Sequence, residues 1–180
     1  MNKFLPLALL VIAMLSGCSE TKTSNAKIST PKQDTTMVKT YVVASTYKGQ
    51  LLKAGKPVAN QALINELSWN NLSQPIFRQL STDDKGFFFV EAYSVELDLG
   101  ALEEFTGRSY LYIEGDTSGE NGNPAHLMTI TRFDAKEGEE FGQTPRNMIC
   151  DTDTETRYIE TRYAVASGKC SWDNMLQPEW

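Results

Sequence analysis

Three cysteines and a single histidine are the side chains of this 180-residue chain with the greatest capacity for chemistry, and their neighbours narrow what that chemistry is. Cys18 stands directly after Ser16-Gly17, at the end of an apolar run from Phe4 to Leu15 that follows Lys3. Small residues beside a thiol leave it open to an enzyme that modifies or cuts there. Cys150 and Cys170 lie far from Cys18 and form an even pair once Cys18 is set aside. In an oxidising compartment they can bridge, closing a loop of about 20 residues and contributing roughly 3 kcal/mol. Two unpaired thiols are the alternative; a zinc site needs more ligands at closer spacing. His126 follows Asn123-Pro124-Ala125 and precedes an apolar stretch. A catalytic base needs a nucleophile and an orienting group nearby. The chain contains no Gly-x-Ser-x-Gly elbow to supply the nucleophile, so His126 reads as a surface or strand-end residue and no catalytic residue is assigned.

Two acidic loops could concern a cation. Asp151-Thr152-Asp153-Thr154-Glu155 has the opening of a calcium loop, but its sixth and twelfth positions hold Thr156 and Arg162 where glycine and glutamate are required. The segment Gly115 to Pro124, with Asp116 and Glu120, is an exposed loop by composition. Both read as solvated turns, and no metal or cofactor is expected. Tyr110, Tyr112 and Tyr158 each alternate with aliphatic residues, and Tyr163 follows. They offer a tyrosine-rich sheet face with apolar area and polar tips; ordinary sandwich faces with hydroxyls at the rim would leave the same pattern.

The first eighteen residues have the layout of an export signal, a charged start followed by about a dozen apolar residues and then small ones. The run is shorter than the roughly 20 residues that span a bilayer as a helix. Leu15-Ser16-Gly17-Cys18 resembles the lipobox of bacterial lipoproteins. The resemblance implies that the Cys18 thiol receives a diacylglycerol, that residues 1–17 are removed, and that the new amine is acylated. Each buried CH₂ of such chains contributes about 0.8 kcal/mol of membrane affinity. Ser19, where an aspartate would signal retention at the inner membrane, implies transfer to the outer membrane, facing the periplasm or the surface. The expected localisation is therefore the bacterial envelope, with the membrane as a partner through the lipid anchor.

Residues 18–36 are rich in Ser, Thr, Lys and Asn and nearly devoid of large apolar groups, so they bury too little to offset the entropy of ordering. They read as a flexible tether with a reach of roughly 25 Å. The formal net charge is −6; removing residues 1–17 takes away one lysine and no acid, leaving −7. Basic residues are scattered, which argues against nucleic acid, whose phosphates demand Lys/Arg patches.

Residues 37–180 read as one domain built of short strands. Val38 to Val43, Tyr47 to Leu52, Val58 to Trp69, Ile76 to Leu80, Phe87 to Val90, Arg108 to Glu114, Ala125 to Phe133, Met148 to Cys150 and Arg157 to Val165 are β-branched or aromatic segments between turn signals. That rhythm predicts a mainly β, antiparallel sandwich. Gln61 to Leu67 and Glu96 to Phe105 leave room for a short helix. Phe87 and Phe89 are expected in the core, and Trp172 and Trp180 could fold back onto the domain.

Gly49-Gln50-Leu51, Gly55-Lys56-Pro57-Val58 followed by Ala62-Leu63-Ile64, and Thr82-Asp83-Asp84-Lys85-Gly86-Phe87-Phe88-Phe89 occur in the order of the carboxypeptidase-regulatory-like family, and Gly49 to Val90 resembles it. The resemblance implies a transthyretin-like or immunoglobulin-like sandwich that serves as a structural or binding module, with insertions. It carries no general catalytic set. Together these readings predict a non-enzymatic, membrane-anchored lipoprotein that displays a β-sandwich to an unidentified protein partner. Two other classes fit the same features: an immunity lipoprotein that neutralises a periplasmic toxin, and a hydrolase whose site is not recognisable from motifs.

Overall fold

The computed structural model describes residues 38–100, 102–133, 136–141 and 144–175, and the proposed signal, tether, Cys18 and Trp180 lie outside them. All described residues belong to one unit. Its strands in chain order are β1 (Lys39–Ala44), β2 (Tyr47–Lys53), β3 (Lys56–Pro57), β4 (Ala62–Trp69), β5 (Ile76–Ser81), β6 (Phe87–Val90), β7 (Tyr93–Leu97), β8 (Gly107–Ile113), β9 (His126–Arg132), β10 (Met148–Asp151), β11 (Arg157–Glu160), β12 (Ala164–Gly168) and β13 (Cys170–Ser171).

The expected mainly β sandwich is what the chain forms. A six-stranded sheet runs β11-β12-β9-β8-β4-β5, and a five-stranded sheet runs β13-β10-β2-β3 with β6 also paired to β2. A two-stranded ribbon, β1 with β7, completes the set. Every pairing is antiparallel except that of β2 with β10, where Leu51 lies opposite Cys150 in parallel register. A parallel pair cannot be closed by a tight hairpin; here most of the domain's chain lies between the two strands.

Alternation along the strands fills the space between the sheets. Tyr47, Leu51, Phe88, Val90, Met148 and the two cysteines meet Leu63, Leu111, Leu127, Ile130, Ala164 and Ala166 in one buried cluster. Each fully buried Leu or Phe contributes about 1.5–3 kcal/mol relative to exposure. Val43, Ala44, Leu67 and Phe105 form a second cluster, roofed by Tyr41, Trp69, Tyr93 and Val95.

The strand read over Val58 to Trp69 forms from Ala62 onward, two helices that the sequence left room for do not form, and one expected phase is corrected. Gln61 to Leu67 is extended, not helical: Leu63, Asn65 and Leu67 point inward together, and the alternation looks broken in sequence only because Ile64 is buried on the opposite face. Glu96 and Leu97 complete β7 by pairing with Thr40 and Lys39, and the described residues that follow, up to Phe105, include no helix. Among the described residues the only helical turns are the short 3-10 segments Glu120–Gly122 and Glu139–Phe141. Third, the phenylalanine run enters its sheet in the opposite phase. Phe88 and Val90 are buried, whereas Phe89 is exposed. Tyr47, Gly49 and Leu51 face the core from β2, and cross-strand partners share a face. Gly49 stands opposite Phe88, and a Cβ on Gly49 would come within 2.5 Å of that ring. The space a missing side chain leaves is what Phe88 fills.

One further segment differs in detail. The stretch from Arg157 to Val165 is not one strand but the hairpin of β11 with β12, closed by Thr161. Trp172 does fold back, its ring edge-on to Phe141 at 5.4 Å.

Candidate functional site

A groove of about 510 Å³ opens at the end of the sandwich where β2 and β8 finish. Val58, Ile113, Ala125 and Leu127 give it an apolar lining. Charged side chains surround this: Lys53, Asp153 and Lys169 on the side of the five-stranded sheet, Glu114 and Asp116 on the side of the six-stranded sheet. Its size falls in the range of small-molecule pockets, but most of its lining residues are polar or charged, where such pockets are mainly apolar.

The rim is built from four connections, each pinned by hydrogen bonds between side chain and backbone. Asp116 accepts the Ser118 N–H at 3.0 Å and the Ala125 N–H at 2.9 Å, folding the β8–β9 loop onto itself. Burial alone would raise the Asp116 pKa, but the bonds from Ser118 and Ala125 outweigh it and hold the carboxyl below its ordinary value. Asp151 accepts the Asp153 N–H at 3.1 Å and, through its other oxygen, the Gly55 N–H at 2.8 Å. It thereby ties the Ala54-Gly55 hairpin tip to the turn after β10. The bond from Asp153 is the main cause of its lowered pKa; slight burial opposes this, and the bond from Gly55 and the charge of Lys169 reinforce it.

The fourth connection is the turn between β12 and β13. Lys169 donates its ammonium to the Thr152 carbonyl, and its backbone N–H to the Leu127 carbonyl at 2.8 Å. Gly168 makes that approach possible: a Cβ there would lie 2.3 Å from the Leu127 carbonyl oxygen. Cys150 and Cys170 are joined as a disulfide, locking β10 to β13 directly behind Thr152 and Lys169. The expected bridge is thus present, and it supports one wall of the groove.

The residues singled out by sequence are distributed unevenly. Both acidic loops reach the groove, but Glu120 and Glu155 do not line it. No group of three or more His, Cys, Asp or Glu residues that could hold a metal occurs among the described residues. His126 sits on the outer face of the six-stranded sheet, its ring 4.9 Å from that of Tyr110 and 5.8 Å from that of Tyr112. Its Nδ1 lies 3.2 Å from the Thr129 hydroxyl, and burial lowers its pKa against the pull of Glu66. The Tyr112 hydroxyl donates to Glu66 at 3.2 Å, and burial with that carboxylate pushes its pKa up to about 12. Tyr110, Tyr112 and His126 therefore share one aromatic patch, while Tyr158 stands apart and exposed on the edge strand β11.

Lys53 and Lys169 carried no functional motif, and Val58 and Gln61 read only as parts of a turn motif and a strand. Only the position of Lys169, between Gly168 and Cys170, hinted at a constrained turn. Equally unmarked was the buried pair at the other end of the sandwich. Arg132 Nη1 lies 2.5 Å from Glu140 Oε1 with both side chains fully buried, and it also donates to the Ser45 hydroxyl at 2.7 Å.

No curated protein and no solved structure matches this chain. A family model does, over residues 47–155, which takes in β2 through β10 and three of the four connections around the groove. By that match, the chain belongs to the family described as Domain of unknown function (DUF6795).

Proposed function

We propose that this protein is a non-enzymatic lipoprotein of the bacterial envelope, anchored through Cys18, whose sandwich acts as a binding module and presents the end groove away from the membrane. The observation that carries the reading is the separation of the groove from the point where the chain enters the domain. β1 packs beside the start of β8: a Cβ on Gly107 would lie 3.4 Å from the Val43 Cα. The groove lies beyond the other end of β8, at Ile113 and Glu114. Seven residues of strand separate the two ends by roughly 20 Å. A tether joined at Val38 thus leaves the groove at the far end of the module. Rim carboxylates that hold backbone amides also suit a rigid recognition surface better than an acid–base pair.

The lipobox resemblance of Leu15-Ser16-Gly17-Cys18 supplies the anchor, and Ser19 favours the outer membrane. Growth with a clickable fatty-acid analogue tests this. Labelling of the wild-type protein, lost in Cys18→Ser together with its membrane fractionation, is the expected result. Equal labelling of the two proteins would refute the anchor.

A further inference from the structure

The outer face of the six-stranded sheet carries a carboxylate set among rings. Phe77 on β5, Glu66 on β4 and Tyr110 on β8 lie directly opposite one another on three adjacent strands. Cross-strand partners share a face, and neighbouring strands run about 5 Å apart. Glu66 therefore projects between the two rings, away from the core that Leu63, Asn65 and Leu67 fill from the same strand. Its Oε2 accepts the Tyr112 hydroxyl at 3.2 Å, and it makes no ion pair among the described residues. Phe77 is more than half exposed, so the face is open beside Glu66. The local charge is one-sided. His126, its ring 4.9 Å from that of Tyr110, is kept below its ordinary pKa by burial and is uncharged at neutral pH. Glu114 brings a second carboxylate to this face, where the Gln79 side-chain amide holds it at 2.9 Å. The one cation that β4, β5, β8 and β9 place here is Arg108, opposite Ser68 and Thr131, and it pairs with neither carboxylate.

We propose that this face is a docking surface for a basic segment of a partner protein, with an arginine of the partner paired to Glu66 and its guanidinium laid against the Phe77 and Tyr110 rings. The carboxylate supplies the counter-charge, and ring faces within about 6 Å attract a cation through their quadrupoles. A planar guanidinium donates to the carboxylate and stacks on the rings at once; a compact, strongly hydrated ammonium does not, so the face prefers arginine to lysine. The surface lies on the sheet rather than in the groove, and its use does not require the groove to bind anything.

Titration of the full-length protein in detergent with the blocked peptide acetyl-Gly-Arg-Gly-Arg-Gly-amide, followed by NMR amide shifts, provides the test. Saturable shifts are expected at Glu66, Phe77 and Tyr110, with the lysine counterpart of the peptide binding about threefold more weakly. Glu66→Gln should weaken the arginine peptide about fivefold, and Phe77→Leu about threefold. Glutamine still accepts the Tyr112 hydroxyl and Phe77 is exposed, so thermal melts of both variants should match the wild type. Absence of saturable shifts, equal binding of the two peptides, or unchanged binding by Glu66→Gln would overturn the proposal. So would shifts centred on the acidic loops at Asp116 and Asp153 instead. Shifts at the same residues from the neutral sugar cellotriose, with none from the arginine peptide, would reassign the face to glycans. Fatty-acid labelling of the same preparation reports the anchor separately: a labelled protein that ignores the peptide defeats this inference and leaves the lipoprotein reading standing.

Discussion

The two ends of the sandwich are closed by different means. At the end where the chain enters, closure is by burial. Val43, Leu67 and Phe105 pack under the β1–β7 ribbon, and Arg132 joins Glu140 and Ser45 with no exposure to solvent. Phe141, one residue after Glu140, fits between Tyr47 and Trp172. At the opposite end the sheets stay apart, and the loops are held at the rim by a disulfide and by carboxylates on backbone amides. Burial fills the space between the elements it joins. Rim pinning fixes the walls without filling the space between them. The contrast explains how one small sandwich can be stable at one end and open at the other.

Breaking the buried pair should produce the largest effect. In Glu140→Ala, Arg132 keeps its bonds to Ser45 and to the Lys136 carbonyl but loses the carboxylate it touches while still excluded from water. Stranding one member of a buried pair typically costs about 3–5 kcal/mol. Urea unfolding should register that loss, and the rim bonds at the other end should keep their hydrogen-exchange protection at low denaturant. A loss below about 1 kcal/mol would mean that water reaches Arg132 and that this end is not closed by burial.

Opening the disulfide comes next and should reverse the pattern. Cys150→Ser with Cys170→Ser removes a cross-link over a sequence separation of 20, worth about 3 kcal/mol in the chain-entropy model. Its local consequence should exceed its global one. β13 is only two residues long and pairs with β10 alone, so the turn carrying Lys169 loses its covalent support. Hydrogen exchange should accelerate at Asp151 and Lys169, whose amides bond Lys169 and Leu127 carbonyls, and remain slow in β4 and β8. Uniform acceleration through both sheets would deny the rim any independence from the core.

The difference between the ends also accounts for what could be read from sequence. Strands were legible wherever β-branched and aromatic residues alternate between turn signals, as at β2, β5 and β8, and so was the cysteine pair. The phase of Phe87 to Val90 was not, because it depends on Gly49 across the sheet rather than on the run itself. Leu97 and Leu99, apolar at alternate positions, were compatible with a short helix until β1 supplied a strand partner for β7. The groove was the least legible feature. Its walls come from four connections far apart in sequence, and Lys53 or Gln61 has no local pattern to mark it. The buried Arg132–Glu140 pair left no trace for a related reason: an arginine at the end of a strand ordinarily points to solvent.

Acid should expose the rim's reliance on carboxylates, with a smaller effect than either substitution. Asp116 and Asp151 both titrate below the ordinary 3.8 in the folded protein. A carboxyl lowered on folding contributes stability that is fully present above its unfolded value and is lost as pH falls through its folded value. Their contribution is thus constant from neutral pH down to about 3.8 and declines only below it. His126 marks a different window. Burial holds its folded pKa under 6.5, so the unfolded chain takes up a proton first and stability begins to fall as pH drops below 6.5. Melting temperatures followed from pH 8 to pH 2.5 should therefore show a shallow decline beginning near 6.5 and a steeper one below 3.8. His126→Gln should flatten the first decline and leave the second. Asp151→Asn should lower the melting temperature at neutral pH and lessen the second, since an uncharged amide holds the Asp153 and Gly55 N–H groups more weakly but cannot be protonated away. If Asp151→Asn instead melts in parallel with the wild type at every pH, the turn after β10 is held by the disulfide, Thr154 and the Lys169 ammonium without its carboxylate, and the open end depends on its covalent clamp rather than on the carboxylates around it.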